Sequence, residues 1–193
     1  MRHATKTTLT KATLIVSAVL AACVLAAPAP APAATPSCPG AGAMPLTVSR
    51  QAFETTILCM LNRERTSRGL VPLRIDPKLD ALSLGHSVSM RQLGYFEHDD
   101  PNGSTLTDRI LGSGYARGAR RWLAGENIAW GERELGTPQS LMTAWMNSPP
   151  HRADILEPRF REIGVGVDWG SPVDPSATAT TITTDFGLVK RRR

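Results

Sequence analysis

The chain has 193 residues, of which 41% are hydrophobic and 20% charged, and it carries a formal net charge of +5 with three cysteines. That charge sits at the two ends: without Arg2, Lys6 and Lys11 it falls to +2, and without Lys190, Arg191, Arg192 and Arg193 as well it falls to −2. A body this close to neutrality excludes a nucleic-acid surface, and its length suits one domain with a substantial core.

The first segment, residues 1–33, reads as a secretory signal. Three cations precede the apolar run Ala12 to Ala27, and Ala31-Pro32-Ala33 supplies small residues for cleavage, leaving about 160 residues from Ala34. The run falls short of the roughly 20 apolar residues of a membrane span. "LAAC" (Leu20 to Cys23) also reads as a lipobox, so a lipoprotein anchored through Cys23 stands as the alternative to secretion. Export leaves two cysteines, Cys38 and Cys59, and a single pair in an oxidising compartment reads as a disulfide worth about 3 kcal/mol. It would pin the Pro/Gly-rich segment 34–48 to the first helix. A buried free Cys59 is the alternative.

Ser49 caps a predicted helix in which Phe53, Ile57, Met60 and Leu61 recur at helical spacing, running toward Gly69. A second helix opens on Asp76 and Pro77, carries Leu79, Leu82, His86, Met90 and Leu93 on one face, and closes at Gly94. The polar loop "EHDDPNGS" follows, then a short helix over Leu106 to Leu111, then a loop from Gly112 to Trp122 leading into "LAGENIAWG". Thr137-Pro138 starts a third helix, with Leu141, Met142, Trp145 and Met146, which Pro149-Pro150 terminates. Two strands finish the chain, around Ile163 to Trp169 and Thr180 to Phe186, joined by "SPVDPSATA". Helices followed by terminal strands predict an α+β layered domain over 49–189, and residues 190–193 read as a solvated basic tail.

The side chains fit for chemistry are His86, His98, Glu126 and His151, with Asp99, Asp100 and Asp168 as charged neighbours. There is no HExxH, CxxC or GxSxG, so any site must be assembled from distant loops. The close glycines of "GVGVDWG" lack the context of a dinucleotide loop. His86 faces an apolar stripe and reads as a core histidine bonded to backbone or to a serine such as Ser148. Asn127 reads as a residue that ties its turn together, and Arg109 and Arg152 as partners for internal acids.

Taken together, "YFEH" (Tyr95 to His98), "PNGSTLTDRI", "GENIA" (Gly125 to Ala129), "AWMNSPPHRADIL" (Ala144 to Leu156), "EIGVGV" and "TTDFG" resemble the CAP superfamily in its bacterial secreted form. This superfamily includes cysteine-rich secretory proteins, antigen-5 allergens and group-one pathogenesis-related proteins. The resemblance covers about Ser49 to Leu188. It implies a three-layer α-β-α sandwich with a central antiparallel sheet and a surface cleft. In many members two histidines and two glutamates line that cleft and hold a divalent metal.

His98 matches the first family histidine, Glu126 the glutamate of the GEN motif, and His151 the second histidine. Ser148 stands where eukaryotic relatives carry the second glutamate. The resemblance therefore implies cleft residues His98, Glu126, Ser148 and His151, and a zinc or other divalent ion on His98, Glu126 and His151 with an open position. A pair of structural loop histidines is the alternative for His98 and His151, and Glu126 could accept hydrogen bonds from a helix end.

Three functions follow from these readings. The first is a monomeric secreted binding protein whose cleft holds a divalent metal, a small polar or glycan ligand, or both, at the cell envelope or outside the cell. The second is a metal-assisted hydrolase of a wall polymer or peptide, with Glu126 as acid/base and a metal-bound water held by His98 and His151 as nucleophile. The third is a carrier of lipid or sterol.

Overall fold

The computed structural model describes residues 37–191, so the signal segment, the cleavage site and Cys23 lie outside the described residues. The elements are α1 (Arg50–Thr66), β1 (Arg74–Ile75), α2 (Pro77–Leu93), α3 (Leu106–Gly112), β2 (Ala119–Glu132), α4 (Pro138–Asn147), α5 (Pro149–Leu156), β3 (Glu162–Trp169) and β4 (Ala179–Arg191). The four strands form one sheet in the order β1-β3-β4-β2. β3, β4 and β2 pair antiparallel, and the two-residue β1 adds to β3 in parallel, so the expected antiparallel sheet is mixed at one edge.

Each helix begins where local chemistry favours it. Ser49 Oγ accepts from Ala52 N at α1, and Asp76 accepts from Lys78 N and Leu79 N at α2, with Pro77 in the first helical position. Gly94 closes α2 in the left-handed conformation at φ 70°, its N–H donating to Met90 O. α3 carries a capping box between Thr105 and Asp108.

Two cores lie on the two faces of the sheet, completing the α-β-α layering. On one face Phe53, Ile57, Met60 and Leu61 of α1 meet Leu141 and Trp145 of α4, Ile155 of α5, and Ile163, Val165, Val167, Ile182 and Phe186 of the sheet. On the other, Leu79 and Leu82 of α2 pack with Ile110 and Tyr115. Trp145 Nε1 donates to Ile128 O at 3.1 Å, tying α4 to β2. The Cys38–Cys59 disulfide forms, with 5.8 Å between the Cα atoms.

The alternation along β3 does two jobs. Ile163, Val165 and Val167 fill the first core, while Gly164 and Gly166 turn toward α2. A Cβ on Gly164 would stand 2.1 Å from Leu79 C, and one on Gly166 2.0 Å from Leu84 N. The helix backbone lies directly against the strand, and only glycine permits that approach.

Three sequence expectations change. β2 begins at Ala119, inside the segment read as loop, and runs 14 residues through the GEN motif. Pro149-Pro150 end α4 but also open α5, because proline suits the first turn of a helix, so His151 lies in a helical first turn and not in a loop. β4 takes in Lys190 and Arg191, the start of the segment read as a tail.

Arg65, at the end of α1, is fully buried and donates to the carbonyls of Val71, Ile155, Glu157 and Phe160, which anchors the C-terminal end of α5.

Gly166→Ala should destabilise the fold by about 3 kcal/mol in urea unfolding, because α2 must move away from the sheet. Gly85→Ala, on the open face of the same helix with nothing within 4 Å of the new Cβ, should instead stabilise by about 1 kcal/mol. Equal effects at the two positions would contradict the packing described.

Candidate functional site

Three elements converge on one carboxylate. Glu126 projects from β2 with a side chain only 2% exposed. Its Oε1 lies 2.8 Å from Nδ1 of His98, in the loop after α2, and its Oε2 accepts from Arg109 Nη2 of α3 at 2.6 Å. Arg109 also donates through Nη1 to His98 O at 2.9 Å, so one guanidinium fixes both the acid and the loop that carries its histidine. Arg109 thus neutralises an internal acid, as its sequence position suggested. His98 remains 53% exposed at the mouth of the site.

Burial by itself would raise the Glu126 pKa. The hydrogen bond from His98 and the charges of His86 and Arg109 outweigh it and hold the carboxyl below its ordinary value, so Glu126 is ionised. The same hydrogen bond raises the His98 pKa against the opposing effect of burial.

His86 lies beneath this pair, its side chain fully buried. Nδ1 is 3.2 Å from Asp100 Oδ1 and Nε2 is 3.2 Å from Glu97 O, with Glu126 Oε1 at 3.9 Å. It is the core histidine expected, but its partners come from the following loop and not from Ser148, which lies at the α4–α5 junction. Burial keeps its pKa below normal, opposed by the charge of Glu126. Tyr95 donates to Asp100 Oδ1 at 2.5 Å, and burial followed by that contact pushes its phenol up to about 12.

The other wall is α5. His151 O accepts from Asn127 Nδ2 at 3.0 Å, so Asn127 ties strand to helix, where a tie within its own turn was expected. The His151 pKa is lowered by burial and then by the charge of His98. Ser148 stands at the start of α5 without a side-chain cap.

Asp185, the acid of the TTDFG motif, is paired directly with Glu126 in the β2–β4 ladder and is fully buried. Ser83 Oγ donates to its Oδ2 at 2.6 Å. Burial, reinforced by the Glu126 charge, holds its carboxyl well above the ordinary range, so of the two opposed acids Glu126 ionises first.

Among the described residues, the buried side-chain polar atoms without a hydrogen-bond partner are Arg109 Nε, Asn127 Oδ1, His151 Nδ1 and Asp185 Oδ1. All four belong to this site.

The donors expected to hold a metal do not fit one in this arrangement. Glu126 Oε1 faces His98 and Oε2 faces a guanidinium, and among the described residues no three His, Cys, Asp or Glu side chains are placed to hold an ion.

Residues 58–172 match the sequence pattern of the cysteine-rich secretory protein family, abbreviated CAP. The chain belongs to that family. Its CAP domain is 39% identical over 124 residues to the uncharacterised Bacillus subtilis protein YkwD, covering 64% of this chain and 46% of that one. It is 34% identical over 115 residues to the uncharacterised Bacillus subtilis membrane protein YlbC, covering 60% and 31%. The chain thus spans less than half the length of either relative.

Among solved structures, an extracellular protein containing a SCP domain from Bacillus anthracis superposes with a TM-score of 0.55 at 26% identity, covering 75% of this chain and 44% of that one. An outer surface protein of Borrelia burgdorferi superposes with a TM-score of 0.61 at 19% identity, covering 75% and 97%, a likeness of fold.

Histidine NMR across a pH series should find His98 titrating above 6.5 and both His86 and His151 below it. Glu126→Gln should bring His98 back down. The raised His98 contributes stability below pH 6.5 that is lost as pH rises through its folded pKa, and the depressed Glu126 contributes stability above pH 4.5 that is lost as pH falls through its own. The pair is therefore strongest between those values. A His98 pKa unmoved by Glu126→Gln would contradict the pairing.

Proposed function

We propose that this CAP domain is a binding protein that acts outside the cytoplasm, its cleft of His98, Glu126, Ser148 and His151 taking a small polar or glycan ligand at the cell envelope or beyond it. The observation that carries the reading is the concentration of buried polar atoms without partners, Arg109 Nε, Asn127 Oδ1 and His151 Nδ1, around one exposed histidine. Each such atom costs about 1–3 kcal/mol, and a fold that gathers them in one place keeps them for a purpose other than stability.

The leader-like N-terminus, the Cys38–Cys59 disulfide and the extracellular description of the Bacillus anthracis neighbour support a place outside the cytoplasm, either free or anchored through Cys23. No helix among the described residues is long and apolar enough to cross a membrane.

Glu126 is only 2% exposed and its two oxygens already accept from His98 and Arg109, which supports a role in fixing the cleft over that of the acid/base of a hydrolase. The lipid reading has one observation behind it, an apolar groove of about 500 Å³ between residues 39–48 and α1, lined by Pro39, Val48 and Ala52 among others and by none of the cleft residues.

Sedimentation with purified cell-wall material tests the reading. The protein should co-sediment, and a His98→Ala/His151→Ala variant that keeps its melting temperature should stay in the supernatant. Equal sedimentation of the two would remove the cleft from the function.

A further inference from the structure

Asp154 stands on α5 three residues after His151, which puts both on one helix face. Its carboxylate reaches β2 beside the GEN motif. A Cβ on Gly125 would come within 2.9 Å of Asp154 Oδ1 and 3.0 Å of Phe160, so a glycine immediately before Glu126 is what lets this acid approach the strand. Burial pushes its carboxyl up, opposed by the charge of His98, and no hydrogen bond to the side chain contributes.

The other acids of the site have partners. Glu126 is held by His98 and Arg109, Asp100 by Tyr95, and Asp185 by Ser83. Asp154 is the acid of this site whose oxygens take no donor from the protein and keep access to solvent, so they are free to accept from a ligand.

Resting on the reading of the cleft as a polar-ligand site, we propose that Asp154 is the carboxylate that accepts ligand hydroxyls, and that the ligand is a carbohydrate presenting vicinal hydroxyls to Asp154 and His98. An ionised carboxylate only accepts, while an imidazole nitrogen donates or accepts according to its proton. Adjacent sugar hydroxyls satisfy both, since each O–H donates and accepts. An amine offers donors alone and meets the positive Arg109. An anion offers acceptors alone and meets the negative Asp154.

Calorimetric titration with a panel of soluble oligosaccharides, built from hexoses, N-acetylhexosamines and pentoses, tests this on the intact protein. At least one should bind, Asp154→Ala should weaken it at least tenfold, and Asp154→Asn should melt no lower than the native protein, because it removes a charge that has no partner. A sugar bound equally well by Asp154→Ala, or a clear fall in melting temperature in Asp154→Asn, overturns the role of Asp154 and leaves the cleft reading standing. A native protein that binds none of the panel while still sedimenting with cell walls through His98 and His151 overturns the sugar assignment alone. Loss of both would overturn the cleft reading itself.

Discussion

The approach of α2 to β3 is the constraint on which the rest of this structure depends. Gly164 and Gly166 let the helix backbone lie on the strand, and that contact brings Ser83, His86 and Ser87 down onto the sheet. Ser87 Oγ donates to Gly166 O at 2.8 Å, Ser83 reaches Asp185, and His86 comes within 3.9 Å of Glu126. With a side chain at either glycine the helix would stand off, and the polar floor of the cleft would lose its lower layer. The loop that carries His98 leaves the end of this same helix, so its position is inherited from the contact.

The electrostatics of the site follow from one ladder position. Glu126 and Asp185 face each other across β2 and β4 in a buried setting that does not tolerate two negative charges. Asp185 has only a serine donor in contact, and its carboxyl is held well above the ordinary range, whereas Glu126 has Arg109, His98 and His86 around it and is held below its own. The cleft carries a resident organic cation as part of its frame. A ligand approaching it meets hydrogen-bonding groups with a nearly balanced charge, which suits a polar, uncharged molecule.

Much of this was legible in the sequence because the signals were local. Asp76-Pro77 and Gly94 mark the ends of α2 through capping and backbone preference, and the alternation of Ile163, Val165 and Val167 marks β3. The ordered motifs pointed to the family, and the structure sets His98 of the first motif against Glu126 of the GEN motif. β2 was not legible, because Gly125, Asn127 and Gly131 break its alternation and its stability comes from pairing with β4 residues far along the chain. α5 hid behind Pro149-Pro150, which stop one helix and start another with the same chemistry. Arg65 looks like a solvent-facing helix end until the carbonyls of Ile155, Glu157 and Phe160 arrive from 90 or more residues away. Asp154 and Asp185 lie inside the quoted motifs but do not stand out there, since an acid is meaningful only beside the groups the fold brings to it.

The Arg109 guanidinium meets the charge of the buried Glu126 carboxylate from within the chain. Calorimetric titration of metal-stripped protein with zinc should therefore show no one-to-one binding at micromolar zinc. Stoichiometric binding that disappears in a His98→Ala/His151→Ala variant would contradict it and make the cleft a metal centre.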